Sequence, residues 1–148
     1  MKVELIVGVI AIAVFTIACS GKRSSNLGAL NGKLNPCPAS PNCVSSQAPV
    51  DDKEHFIEPL SYSSTLKQAK ERLVKAITSM KRAKIIMDNE NYIHAEYTSA
   101  LFRFVDDVEF NFDDAKKIIH VRSASRMGYG DMGVNRKRIE ELRALFNK

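Results

Sequence analysis

From Tyr92 to Arg122 the chain alternates, and no other feature constrains its fold as tightly. Ile93, Ala95 and Tyr97 fall on one side of the segment 92–98, with His94 and Glu96 on the other. A longer stretch, 101–112, puts Phe102, Phe104, Val108, Phe110 and Phe112 on one side, and Ile119 and Val121 then alternate with His120 and Arg122. Polar turns at 88–91 and 113–116 separate these runs, and 84–87 is a further short apolar piece. Period-two alternation with short turns specifies antiparallel pairing with one buried face. Asp106 interrupts the aromatic series. A β-bulge at Asp106-Asp107 is the preferred explanation, with a buried, paired carboxylate as the alternative.

The sheet needs a cover, and two amphipathic segments supply it. Thr65 and Gln68 stand at capping-box spacing. Leu66, Ala69, Leu73, Ile77 and Met80 then recur at helical spacing, which predicts a helix over 65–82. A second helix is predicted over 135–146, with Ile139, Leu142, Leu145 and Phe146 inward. The expected fold is therefore α+β: an antiparallel β-sheet meander with one face covered by two amphipathic helices, preceded by an irregular Pro/Cys N-terminal loop.

The start of the chain reads as an address. Leu5 to Ala18 is free of charge, and fourteen residues at about 1.5 Å each fall short of the ~30 Å hydrocarbon core of a bilayer. Residues 1–18 fit a signal peptide, with an uncleaved membrane anchor as the alternative. Thr16-Ile17-Ala18-Cys19 is similar to the lipobox of bacterial lipoproteins, which makes Cys19 the expected lipidation site. Thr16 departs from the usual Leu or Val there. Ser20 is not the aspartate associated with inner-membrane retention, so the expected location is the bacterial cell envelope, periplasm-facing, with the outer membrane favoured. Residues 19–34 are Gly-, Ser-, Asn- and Lys-rich and read as a flexible tether. Residues 35–148 are enough for one core and form the single expected domain.

Removing residues 1–18 takes away Lys2 and Glu4 together, so the net charge stays at +5. That excess favours acidic partners: lipid headgroups, anionic glycans or an envelope protein. Nucleic acid is excluded by the compartment and by the lack of any recognition motif. Neither a cofactor motif nor a metal-ligand pattern is present.

Cys37 and Cys43 lie in PCPASPNCVSS, where three prolines forbid a helix and Asn42 can close a turn. A structural disulfide is the preferred reading, contributing on the order of 2 kcal/mol for so short a loop. A redox pair lacks CxxC spacing, and zinc would need two ligands beyond the cysteines, of which only His55 is at hand.

Between the last strand and the second helix runs RSASRMGYGDMGVNR. Its glycines and its position before a helix N-terminus suit an anion. Arg122, Arg126 and Arg136 offer bidentate hydrogen bonds, Ser123 and Ser125 add hydroxyls, and Asp131 and Asn135 complete the candidate ligand-binding set. The competing reading pairs these arginines with Asp107, Glu109 and Asp131 in a structural network.

PCPASPNCVSS, FRFVDDVEFNFDD and VRSASRMGYGDMGVNRKRIEELR together resemble the domain-of-unknown-function family 1499 of bacteria and plastids, over about 35–146. The residues carrying the resemblance include Cys37, Pro38, Asn42, Cys43, Ser45, Asp106, Asp107, Arg122, Ser123, Ser125, Arg126, Gly128, Asp131, Gly133, Asn135 and Arg136. The family brings no catalytic assignment. The expected function is a non-enzymatic, lipid-anchored envelope module that binds through its Arg/Gly loop. The alternative is a hydrolase or transferase using Ser123 or Ser125, or His94 and His120 on the sheet face.

Overall fold

The computed structural model describes residues 21–23 and 26–148; the leader, Cys19 and Ser20 lie outside them. A small hairpin, β1 (Ala29–Leu30) and β2 (Lys33–Leu34), leads into the proline-rich loop and β3 (Cys43–Ser45). There follow β4 (Leu60–Ser61), α1 (Leu66–Ser79), the meander β5 (Ala83–Asp88), β6 (Tyr92–Thr98), β7 (Val105–Asp113) and β8 (Ile118–Ser125), and finally α2 (Val134–Phe146). The sheet order is β3-β8-β7-β6-β5, with β4 pairing beside β3 on β8, and all these pairs are antiparallel. Cys37 and Cys43 form the expected disulfide, with Cα atoms 5.6 Å apart.

Local chemistry accounts for the elements. The Thr65 hydroxyl accepts the Gln68 N–H while the Gln68 side chain accepts the Thr65 N–H, which completes the capping box and starts α1. Ala69, Leu73, Ala76 and Ile77 of α1 and Ile139, Leu142 and Phe146 of α2 are buried against one side of the sheet. That side presents Ile93, Ala95, Tyr97, Val108, Phe110, Phe112, Ile119 and Val121. The α+β expectation is thus met.

Two details of the strands differ from expectation. Pairing runs without a break through Tyr97↔Asp106↔Ser125, so no bulge lies at Asp106-Asp107; the irregularity is in β5, between Ile85 and Met87. Asp106 stays on the helix side because Arg138 of α2 reaches down to pair with it. Phe102 and Phe104, expected inward, are exposed and stack on each other at 5.5 Å. Ser99 accounts for this: its N–H donates to the Phe104 carbonyl and its hydroxyl accepts the Phe104 N–H, closing a separate loop before β7 begins.

Part of the segment read as a tether makes defined contacts with the sheet. Residues 26–34 lie over the second side of the sheet, held mainly by polar contacts, with Leu34 buried at their end. The Gly28 N–H donates to Glu109 at 2.8 Å, Asn111 donates to the Gly32 carbonyl, and Gln47 ties the Leu34 N–H and the Gly32 carbonyl together. Low hydrophobicity predicts disorder only where the strand beneath offers no partners.

Candidate functional site

The side of the sheet away from the helices is charged and yet closed. Here β6 presents Tyr92, His94 and Glu96, β7 presents Asp107, Glu109 and Asn111, and β8 presents His120 and Arg122, with Arg126 just past its end. Register places Glu96 directly opposite Asp107, a like-charge pair that is unfavourable by itself. Arg126 resolves it. Its Nε and Nη2 donate to the two oxygens of Asp107 at 2.8 and 2.7 Å, and Nη2 also donates to Glu96. His94 Nε2 meets Asp107 Oδ1 at 2.7 Å from the other side. Two residues along the strands, Arg122 donates to Glu109 at 3.0 Å, and Glu109 also accepts the Tyr92 hydroxyl at 2.7 Å. Glu109 is 0% exposed and His94 3%, so these are interior groups and not a solvated face.

Burial alone would push the Asp107 carboxyl upward, but the hydrogen bonds from Arg126 and His94 outweigh it and hold the group at about 2. Glu96 is lowered in the same way: burial opposes, and hydrogen bonds from Arg126 and Arg23 prevail. Burial, followed by the bond to Glu109, raises the Tyr92 phenol. Since the folded value of Asp107 lies below its ordinary 3.8, its stabilisation is complete above pH ~4 and is lost as pH falls towards 2. The difference corresponds to about 2 kcal/mol. Chemical denaturation followed across that acid range should show this loss, and Asp107→Asn should flatten it.

A second polar cluster occupies the helix side at the end of the strands. Asn135, 0% exposed, donates through Nδ2 to the Asn42 carbonyl, the Ser125 hydroxyl and Asp131, while its Oδ1 accepts Ser123 Oγ at 2.5 Å and Arg138 Nη1 at 2.7 Å. The guanidinium of Arg138 lies 4.9 Å over the Tyr97 ring. Asp131 accepts the N–H groups of Gly133 and Asn135 and so occupies the N-terminus of α2 with its own carboxylate.

The residues expected to form one ligand site are therefore divided by the sheet. Arg122 and Arg126 face the far side, bonded to Glu109 and Asp107; Ser123 and Ser125 face the helices, where Asn135 of α2 bonds them; Arg136 donates to the carbonyls of Lys53 and Glu54. What the 126–133 loop exposes is apolar: Met127, Tyr129 and Met132. The partners Asp107 and Glu109 are those the network reading named for the arginines, whereas Asp131 serves the helix. Arg138, Tyr92 and Asn42 complete the two clusters. Only the register, by setting Glu96 against Asp107, signals that a cation must lie between them.

His94, Glu96 and Asp107 bring ligand atoms within 4.8 Å of one another, a spacing a metal ion could use. The Arg126 guanidinium already bridges the two carboxylates, so the cationic place is filled by the chain itself.

A cleft of about 1020 Å³ opens between the 33–39 segment and the 45–56 region. On its wall Ser46 Oγ and His120 Nδ1 are 3.3 Å apart, a contact the sequence did not suggest. Burial lowers the His120 imidazole, as a general base requires, but among the described residues no carboxylate bonds its other nitrogen. Ser46 Oγ also accepts the Val121 N–H at 2.9 Å, which fixes it in the β8 ladder. The other histidine of the cleft, His55, bonds Asp52 at 2.8 Å.

These features define a class: a small α+β domain with helices on one side of a meander, a polar strap on the other, and internal charge networks on both. The chain belongs to the family described as "Protein of unknown function (DUF1499)", which matches residues 33–146. Comparison with curated proteins finds no match.

Proposed function

We propose that the protein is a lipid-anchored envelope module that works by binding and not by catalysis, tethered through Cys19 with its domain facing the periplasm and the outer membrane as the favoured site. The observation that carries the non-enzymatic reading is the division of the candidate catalytic groups. Ser123 and Ser125 are bonded to Asn135 on the helix side, and His94 and His120 lie across the sheet from them. No nucleophile–base–orienter series is assembled among the described residues. The anchoring rests on the apolar leader ending in Thr16-Ile17-Ala18-Cys19, and a disulfide between Cys37 and Cys43 suits an oxidising compartment. In this reading the arginines hold the base of the 126–133 loop, and the exposed residues of the loop make the contact. Anionic headgroups, glycans and envelope proteins are the partner classes suited to a chain of net charge +5.

The mass of the protein extracted from membranes tests this directly. A chain beginning at an acylated Cys19, with Cys37 and Cys43 oxidised, is the expected species. Full-length, unmodified polypeptide with three titratable thiols would refute the anchoring.

A further inference from the structure

Ala83, Tyr97, Asp106 and Ser125 form the last row that crosses four strands at one end of the sheet, with only Thr98 and Val105 paired beyond it. Beyond that row project the 80–82 turn, the 99–104 loop and the 126–133 loop, the last two joined by the Arg126 N–H donating to the Val105 carbonyl. Their side chains are unusually apolar for a surface: Leu101 is 79% exposed, Phe102 64%, Tyr129 77% and Met132 100%, with Phe104, Met127 and Val134 also exposed. Single exposed apolar residues are ordinary, but so many large ones at one end mark a contact surface.

Two further observations identify what the surface meets. Lys22, Lys81, Arg82, Arg103 and Lys137 are exposed at this end, and none takes part in an ion pair among the described residues. At the opposite end Lys70, Lys116 and Lys117 are matched by Asp88, Asp113 and Asp114. The chain also arrives at the apolar end: a β-carbon built on Gly21 would lie 2.9 Å from Met127 Cγ and 3.0 Å from Arg126 Cβ. Cys19 stands two residues earlier, and two residues of chain reach at most about 7 Å.

We propose that this end of the domain lies directly on the lipid bilayer, with the tips of the 99–104 and 126–133 loops in the headgroup region and the surrounding cations on anionic lipid. The proposal rests on the anchoring of Cys19 read above. Aromatic side chains with a polar end, such as Tyr129, favour the boundary between water and hydrocarbon, and basic residues beside a membrane are drawn to anionic headgroups. No helix among the described residues is long and apolar enough to cross a membrane, so the contact made by these elements is peripheral. The domain is then seated on the membrane and not suspended above it.

The chain contains no tryptophan, so single substitutions report position without background. Full-length Tyr129→Trp, Phe102→Trp and Glu90→Trp variants would be reconstituted with phosphatidylethanolamine–phosphatidylglycerol vesicles containing brominated lipid; Glu90 lies in the exposed β5–β6 turn at the opposite end. Fluorescence at positions 129 and 102 should shift to the blue and lose most of its intensity to the brominated lipid, while position 90 keeps its own. Chains that float with the vesicles but show equal, weak quenching at all three positions would overturn the proposal and assign the loops to a protein partner. Quenching at 129 and 102 in a chain whose mass shows no acyl group would uphold the seating and refute the anchor. A chain that does not float at all would refute both.

Discussion

Arg126→Ala is expected to lower the melting temperature by about 15 °C, from a loss of roughly 3–5 kcal/mol. The substitution removes three hydrogen bonds and leaves Glu96 opposite Asp107 with no cation between them. Asp107 is 2% exposed, so water cannot take over what the guanidinium supplied. A buried carboxylate left with His94 as its sole partner loses more than the ion pair gained by forming. Arg126→Lys restores the charge without the fork and should recover only part of the loss. Differential scanning calorimetry of the three proteins decides the matter. A fall of only a few degrees in Arg126→Ala, accompanied by loss of a bound anion, would instead return this arginine to ligand recognition.

Asn135→Ala should cost about 3 kcal/mol or more, because alanine removes five interior hydrogen bonds at once. The Asn42 carbonyl, the Ser123 and Ser125 hydroxyls and Arg138 all lose a partner, and they come from three separate parts of the chain. Asn135 is what joins the start of β3 and the end of β8 to the first turn of α2. Asn135→Asp keeps the acceptor for Ser123 and Arg138 but withdraws the donor side, and sets a second carboxylate near Asp131. It should be destabilised as well. Urea midpoints measure both, and a variant within about 0.5 kcal/mol of the parent would mean that the junction is held by apolar packing alone.

The difference between what was legible and what was not follows from how far each cue reaches. The capping box of α1 and the alternation of β6 and β8 act over a few residues, and both appear where the sequence places them. Alternation also overreached: Phe102 and Phe104 continue the parity of β7, but Ser99 closes a loop through hydrogen bonds that leave no trace in hydropathy. Asp106 looked like a break in register because its partner, Arg138, lies 32 residues away on another element. The contacts of residues 26–34 were not legible for a related reason, since Glu109, Asn111 and Gln47, which bond them, lie elsewhere in the sequence. The candidate site divided for the most elementary reason. Arg122 and Ser123 are neighbours in sequence, and in a strand neighbours face opposite ways.

β5 has one further consequence. It is the outermost strand of the sheet, and the irregularity between Ile85 and Met87, with Lys84 exposed and Asp88 at its end, keeps it from offering a long regular row of unsatisfied amides and carbonyls. At the opposite border β8 is already covered by β3 and β4. Neither border is a template for strand addition from a neighbouring molecule. Copies at high concentration can therefore collide side by side without their sheets joining end to end.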